Sequence, residues 1–345
     1  MKKILSILII LFVASYANAT TYYGGAADKN INGDDLWYTG VTGSCAGDGS
    51  PVAWSTVGQT GNTLVANGCT ITIPNDANLT VTVDKISNKE TDTPDADCVD
   101  GGSFTYETSA DYTLTLNAAI EAGRTEDCLV ISGSAPGSAR VTLTGAMNGG
   151  SASGVDSVYD THTVGEVVVG STGNLVTITG GSNVLAFGYK FTANAASTVK
   201  MYANGVGGSS AGIQNSSVNS GAIITIYEGV CLGGASASGY GGCSAPNAGP
   251  IVLSGVTIQS GTGTFGVSGR IYAQPGATNY ILMPVDSSYS AGTVDTHSVV
   301  YGPVADGDSW TNSNTLTTEA EIKSGEKIGT ATGTMSISGG GAWGW

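Results

Sequence analysis

The stretch from Val199 to Gly255 reads VKMYANGVGGSSAGIQNSSVNSGAIITIYEGVCLGGASASGYGGCSAPNAGPIVLSG. Its apolar runs start at residues 199, 224 and 251, and each is followed by glycine and other small residues. Short runs rich in β-branched residues between Gly, Asn and Ser predict strands joined by turns. A similar run starts at Val176, so the spacing is in the mid-twenties, which is typical of one coil of a β-solenoid.

The same pattern extends towards the amino terminus, and glycine pairs follow several of the runs. The earlier runs are Thr70–Ile73, Thr80–Val83, Tyr112–Leu116, Cys128–Ser132, Val141–Gly145 and Val176–Gly180, and the glycine pairs are 149–150, 207–208 and 233–234. Only Leu116–Ala122 also fits a turn of helix. Stacked coils would bury Val, Ile and Leu in a continuous inner column, with Gly and Asn at the corners. We therefore predict an all-β fold, a single-stranded right-handed parallel β-helix, with a β-sandwich as the alternative because the repeat is irregular.

The first residues predict export. Lys2 and Lys3 precede the apolar run Ile4–Val13, and Ala17-Asn18-Ala19 fits a signal-peptidase site. We expect a signal peptide over residues 1–19 and no membrane span after its removal, because the later apolar runs are strand-sized. The predicted location is secreted, either extracellular or at the cell surface.

The composition excludes some partners. The chain has a formal net charge of −15, so nucleic acids and anionic membranes are disfavoured partners. Glycine contributes 53 residues, but the hydrophobic fraction of 41% predicts a buried core rather than disorder.

The six cysteines all follow the signal peptide. They are Cys45, Cys69, Cys98, Cys128, Cys231 and Cys243. An even number in an exported chain favours disulfides over metal ligation, and sequence order suggests the pairs 45–69, 98–128 and 231–243. Other connectivities stay open for the first four. No C-x-x-C spacing occurs, so we expect no zinc site.

Three regions follow the predicted signal peptide. Residues 20–68 are rich in aromatic residues and predict an amino-terminal cap, residues 69–284 carry the coils, and residues 285–345 form a β-rich tail.

Two acidic segments are candidate cation sites. Asp28, Asn30, Asn32 and Asp34 place oxygen ligands as at the start of a calcium loop, but Thr39 stands where a bidentate Glu is needed. A polar turn is the favoured interpretation there. The second segment, residues 84–100, includes Asp92, Asp95, Asp97 and Asp100, which can hold calcium, supply acid and base groups, or form a solvated loop. Calcium is the only cofactor that we consider.

The central coils argue against an enzyme. Residues 161–285 contain no Asp and only two Glu, Glu166 and Glu228, whereas a glycosidase needs a pair of opposed carboxylates. His162 and His297 each follow an Asp by two residues, but no nucleophile motif accompanies them. We expect both histidines at the surface and predict no catalytic residue. An enzyme built on the acidic segment, with Arg124 or Arg140 nearby, is the alternative.

Tyrosines are the candidate ligand contacts. Tyr202, Tyr227, Tyr240 and Tyr272 lie on or beside predicted coils, where their rings can stack on sugars. Packing at corners or in the core is the alternative.

From Thr70 to Met283, the alternating strands and Gly-Gly turns resemble the right-handed parallel β-helix (pectin-lyase-like) superfamily of secreted adhesins, polysaccharide-active proteins and tail-spike-like proteins. A short segment, Ala320–Gly325 with Gly329 and Gly333-Thr334-Met335, looks like a repeat of virion-associated surface proteins. These resemblances imply a secreted or surface-displayed structural or adhesive protein that binds polysaccharide or a cell-surface glycan. The alternatives are a polysaccharide lyase or glycoside hydrolase, and a subunit of a surface or virion appendage that forms homo-oligomers.

Overall fold

The structure is a computed structural model. It describes residues 20–89, 97–107, 112–123, 126–133, 140–149, 156–162, 165–181, 187–189, 198–218, 221–234, 241–259, 266–269, 271–273, 279–282, 289–290, 294–295, 299–301, 310–311, 327–328 and 331–332. The predicted signal peptide lies outside these residues.

The described residues are almost entirely strands, which confirms the all-β prediction. The first strands are β1 (Thr20–Gly24), β2 (Lys29–Asn30), β3 (Trp37–Tyr38), β4 (Val41–Gly43), β5 (Ala46–Gly47), β6 (Asn62–Val65), β7 (Thr70–Ile73), β8 (Leu79–Ser87), β9 (Ser103–Glu107), β10 (Thr113–Glu121) and β11 (Leu129–Ser132). The central strands are β12 (Arg140–Leu143), β13 (Met147–Asn148), β14 (Val158–Asp160), β15 (Glu166–Val169), β16 (Val176–Thr179), β17 (Phe187–Tyr189), β18 (Thr198–Val206), β19 (Ile213–Asn215), β20 (Ile223–Leu232), β21 (Cys243–Ala245) and β22 (Ile251–Leu253). The last strands are β23 (Val256–Gln259), β24 (Val267–Gly269), β25 (Ile271–Ala273), β26 (Asn279–Leu282), β27 (Tyr289–Ser290), β28 (Val294–Asp295), β29 (Val299–Tyr301), β30 (Trp310–Thr311), β31 (Lys327–Ile328) and β32 (Ala331–Thr332). A four-residue helix, α1 (Trp54–Val57), is the only helix among the described residues, and the sequence pattern did not predict it.

Two sheets account for most of the strands. The first has 17 strands and the second has nine, namely β2, β7, β9, β11, β14, β17, β19, β21 and β24. Between the described strands of these sheets, every pairing is parallel except that of β1 with β3. The first sheet is therefore mixed only at its amino-terminal end. We use the word rung for one level of a parallel ladder. In the first sheet, a rung is either one long strand or two short strands that follow each other along the chain.

Some rungs of the first sheet are one long strand, as in β8, β10, β18 and β20, and others are two short strands. β10 pairs with β12 through residues 113–116 and with β13 through residues 120–121. The register of β8 and β10 shifts between residues 117 and 119, level with the gap between β12 and β13. Leu116–Ala122, which also fitted a helical turn, belongs almost wholly to strand β10.

Alternation along the strands creates two inner columns of aliphatic side chains. The first inner column contains Leu79, Leu114, Val141, Val167, Val199, Ile224, Ile251 and Ile271, in register from rung to rung. The second contains Val81, Leu116, Leu143, Val169, Met201, Ile226 and Leu253. All except Leu79 are at most 1% exposed, so the core is one continuous stack of branched side chains and Met.

The register corrects one detail of the predicted period. Val199, Ile224 and Ile251 do occupy consecutive rungs, as their spacing predicted. Val176 does not precede Val199 in this column, because it pairs with Ala203, and the partner of Val199 is Val167. The irregular spacing of apolar runs arises because one rung contributes two short strands to the first sheet.

Glycines at one corner let the backbones of successive rungs approach closely. The amide groups of Gly149, Gly180, Gly207 and Gly233 each donate to the carbonyl of the last strand residue of the next rung, at 2.8–2.9 Å. A Cβ atom on Gly180 would lie 2.1 Å from the carbonyl oxygen of Ser210. The glycine pairs in the sequence therefore mark a corner at which side chains do not fit.

Two of the three expected disulfides are present. Cys45 is bonded to Cys69, and Cys231 is bonded to Cys243 with a Cα–Cα distance of 5.5 Å. The expected pair of Cys98 with Cys128 is wrong, because both are buried thiols that belong to different hydrophobic clusters. Burial raises the pKa of the Cys128 thiol, so it behaves as a small apolar side chain.

Candidate functional site: the outer face of the first sheet

One outward-facing column runs along the first sheet, directly beside the second inner column. It contains the residue that follows each member of that inner column, namely Thr82, Asn117, Thr144, Gly170, Tyr202, Tyr227 and Ser254. We call it the outer column. Its members are exposed or half-buried except for Gly170. It is formed because side chains alternate between the two faces of a strand.

The first part of the outer column is a ladder of polar side chains. The Asn117 amide donates from Nδ2 to Thr82 Oγ1 at 3.2 Å, and Thr144 Oγ1 donates to Asn117 Oδ1 at 2.8 Å. These bonds fix the orientation of the Asn117 amide. Its second Nδ2 hydrogen and the acceptor capacity of Thr144 remain for other partners.

A shallow groove lies beside this ladder. It has a volume of about 510 Å³ and is lined by Val83, Asp84, Asn117, Ala118, Ala119, Thr144, Gly145 and Ala146. The floor consists of small residues because Gly145 and Ala118 are in close backbone contact, where a Cβ atom on Gly145 would lie 1.9 Å from the Ala118 carbonyl oxygen. Asp84 is exposed, and its Oδ1 accepts a hydrogen bond from the Gly61 amide at 2.8 Å.

A small hairpin follows the polar part of the outer column. It occupies residues 170–175, and Ser171 and Asn174 pair through both backbone hydrogen bonds. Gly170 donates to the Leu143 carbonyl, so the hairpin begins beside Thr144. Glu228 Oε2 accepts from the Gly173 amide at 3.2 Å, which ties the tip of the hairpin to strand β20.

Tyr202 and Tyr227 lie beyond the hairpin and stack on each other. Their ring centroids are 5.6 Å apart and their planes differ by 22°. Both rings are half-buried, and each has one face covered by the other. The pair therefore links two successive rungs, and it leaves less ring face for a sugar than two separate tyrosines would. The structure does not describe Tyr240 or the side chain of Tyr272, so their predicted stacking role stays a prediction.

Two ion-pair clusters flank the outer column, each with two cations around one carboxylate. Glu166 is bound by Lys200 and by Arg140, the latter at 2.9 Å. Burial opposes the ionisation of Glu166, but Lys200 and Arg140 outweigh it and lower the pKa of its carboxyl group. Glu121 is similarly bound by Lys85 and Lys89, and its pKa is also lowered. Arg140 and Lys200 are 56% and 40% exposed, so solvent screens their contribution to stability.

His162 corrects the expectation of a surface histidine. Its side chain is 1% exposed, and Nδ1 lies 2.6 Å from Oδ1 of Asp160, which is fully buried. Burial disfavours the charged imidazole, but the charge and hydrogen bond of Asp160 outweigh this and raise the pKa of His162. Asp160 shares a register column of the second sheet with Tyr106 and Ile131. His297 lies outside the described residues.

The Asp160–His162 pair has a neutral counterpart two rungs away. Asn215 Oδ1 accepts from the Ser217 amide at 3.1 Å, just as Asp160 Oδ1 accepts from the His162 amide at 3.2 Å. Asn215 and Asp160 belong to the same register column. The pair thus occupies a buried turn position that is equivalent to the Asn215–Ser217 turn.

The acidic candidate sites gain few contacts. Asp34 accepts from the Trp54 amide at 2.8 Å and so caps helix α1, and neighbouring Asp35 pairs with Lys29. Within the described ranges, no group of three or more His, Cys, Asp or Glu side chains is arranged to hold a metal ion. Of the second segment, Asp92 and Asp95 lie outside the described residues, as does Arg124, while Asp97 is exposed and Asp100 half-buried. The calcium and acid–base roles of both segments stay predictions.

Comparison with known proteins assigns no family. No protein-family model matches the chain, and neither a curated protein nor a solved structure does. The part of the chain that the structure describes contains no helix with the length and apolar character of a membrane span.

The sequence pattern pointed to one residue of the groove, Asp84, which begins the acidic segment 84–100, but not to the others. Thr82, Asn117 and Thr144 occupy polar positions within or directly after alternating runs. Their shared column becomes visible only when the register is known, because they are separated by 35 and 27 residues.

Proposed function

We propose that the chain is an exported parallel β-solenoid with a structural or adhesive role, and that it binds polysaccharide through the outer face of its first sheet. The parallel ladders and the two stacked inner columns support the solenoid over the β-sandwich, whose sheets pack antiparallel strands. Two disulfides are compatible with an oxidising compartment, which supports the predicted signal peptide.

One observation carries the binding role. A rigid sheet presents polar and aromatic side chains in one outward column, so that a long ligand can contact many rungs at once. Each contact of this kind is weak, and several together give useful affinity. Within the described residues, the Asp160–His162 pair is at most 1% exposed and lies on the second sheet, away from the outer face of the first, which supports binding over hydrolysis at that face.

A glycan array combined with a reducing-sugar assay tests this proposal. The mature chain, expected to start near Thr20, is applied to the array, and each glycan that binds is incubated with the protein and assayed for new reducing ends. Binding without release is the expected result. Release of reducing ends would replace the adhesive role with the enzymatic alternative. If no glycan binds and no reducing ends are released, polysaccharide is not the partner.

A further inference from the structure

The groove beside Asn117 differs from the rest of the outer face in shape. Small side chains form its floor, namely Ala118, Ala119, Gly145 and Ala146, and the polar ladder forms one side. The groove is shallow and open to solvent, with a volume of about 510 Å³. Gly145 and Ala118 touch through their backbones, so that no side chain fits at position 145.

The polar groups of the groove suit uncharged hydroxyl groups. Asn117 and Thr144 offer both donors and acceptors, and Asp84 offers a carboxylate with acceptor capacity beyond its bond to Gly61. A sugar hydroxyl donates and accepts at the same time and can use all three. The lining contains no Lys, Arg or His, so an anionic group in the groove would meet Asp84 without a compensating cation.

The lining residues come from three successive rungs. Asp84 lies on β8, Asn117 on β10, and Thr144 follows β12. Neighbouring strands lie about 4.8 Å apart, so a ligand that contacts all three residues extends along the direction in which the rungs stack. This direction is open to a polymer, whereas a single small sugar would reach only part of the lining.

We propose that this groove, bounded by Asp84, Asn117 and Thr144, binds a neutral polysaccharide chain that lies along the stacking direction. The inference rests on the proposed function and deepens it, because it names the site and the charge class of the glycan. The net charge of −15 also favours a neutral over an anionic glycan, since it repels polyanions at long range.

Affinity gel electrophoresis tests the proposal with three polymers: a soluble β-glucan, a galactomannan and polygalacturonate. Ala146→Trp fills the groove from an exposed position and should weaken binding of the neutral polymer at least tenfold. Val218→Trp is the matched control, because Val218 is 65% exposed and lies outside the groove, and it should bind as the wild type does. Thr144→Val removes one hydroxyl and should weaken binding about threefold to tenfold.

Asp84→Asn separates the two charge classes. The variant keeps an oxygen for the Gly61 amide, so it should fold normally, and it should bind the neutral polymer less tightly because an ionised acceptor is lost. Improved binding of polygalacturonate by this variant is expected, because the repelling charge is lost. Preference of the wild type for polygalacturonate over the neutral polymers would overturn the neutral class. Equal binding by Ala146→Trp and Val218→Trp would overturn the groove but leave polysaccharide binding intact. If the wild type binds none of the three polymers and no glycan on the array, both the groove and the proposed polysaccharide binding are overturned.

Discussion

Replacement of His162 by Ala should destabilise the protein severely. The imidazole lies 2.6 Å from the fully buried Asp160 carboxylate, and its removal would leave that carboxylate with the hydrogen bond from the backbone amide of residue 162 but without the imidazole. Removing one partner of a buried ion pair typically costs about 3–5 kcal/mol, because the other charge is left without compensation. Urea denaturation followed by circular dichroism measures this loss as a shift of the unfolding midpoint.

The double variant Asp160→Asn/His162→Ser is the matched control. It reproduces the Asn215–Ser217 turn, in which an amide oxygen accepts the same backbone hydrogen bond. Replacement of a whole buried pair by neutral groups is often nearly neutral, so we expect a change within about 1 kcal/mol. A His162→Ala variant as stable as the double variant would refute the reasoning, because the buried charge would then have no cost.

The same pair makes stability depend on pH. Because the pKa of His162 is raised above 6.5 in the folded protein, its contribution is fully present below that unfolded-state value and is lost as pH rises through the folded pKa. The wild type should therefore lose more stability than the double variant as the pH rises above 6.5. Equal losses in both proteins would contradict a raised pKa.

Three further predictions concern the disulfides, the stacked tyrosines and a corner glycine. Thiol titration of the denatured, unreduced protein should find two thiols per chain, and six would contradict the disulfides. Cys231→Ala/Cys243→Ala should lower the free energy of unfolding by about 3 kcal/mol, and an unchanged urea midpoint would contradict the Cys231–Cys243 bond. A double-mutant cycle on Tyr202→Ala and Tyr227→Ala should give a coupling of about 0.5–1.5 kcal/mol in urea denaturation, whereas additive effects would mean that the rings do not stack. Gly180→Ala should lower the melting temperature and reduce the free energy of unfolding by about 1–3 kcal/mol, because its new Cβ would lie 2.1 Å from the Ser210 carbonyl oxygen. An unchanged melting temperature would mean that Gly180 does not lie at this close backbone contact.

The strands were the most predictable part of the molecule. Thr70–Ile73 matches β7, and the runs that start at 141, 199, 224 and 251 all begin within strands, because their alternation reflects a face that must be buried. The pairing partners were less predictable, since Val176 resembles Val199 in its surroundings yet lies in the other half of a rung. Periodicity identifies which residues point inward, but it does not identify which rung half they occupy.

The errors at Cys98, Cys128 and His162 have a common physical origin. Sequence order paired the cysteines, although disulfide formation depends on Cα positions that only the fold determines. Polarity placed His162 at the surface, although a neighbouring Asp can hold a buried imidazole through a hydrogen bond within a turn. The groove as a whole was not predicted for the same reason, since Asp84 belonged to a candidate segment but its neighbours in the groove are far apart in sequence.

Cysteine cross-linking across the parallel register tests the stacked architecture most directly. Thr115 and Thr142 face outward and are register partners on β10 and β12, at a strand spacing that suits a disulfide. Thr115→Cys/Thr142→Cys should form this disulfide under mild oxidation, detected by mass spectrometry of the linked peptides, whereas Thr115→Cys/Lys200→Cys, three rungs apart, should not. Absence of the first cross-link, or formation of the second within one chain, would contradict the parallel stack on which the binding surface depends.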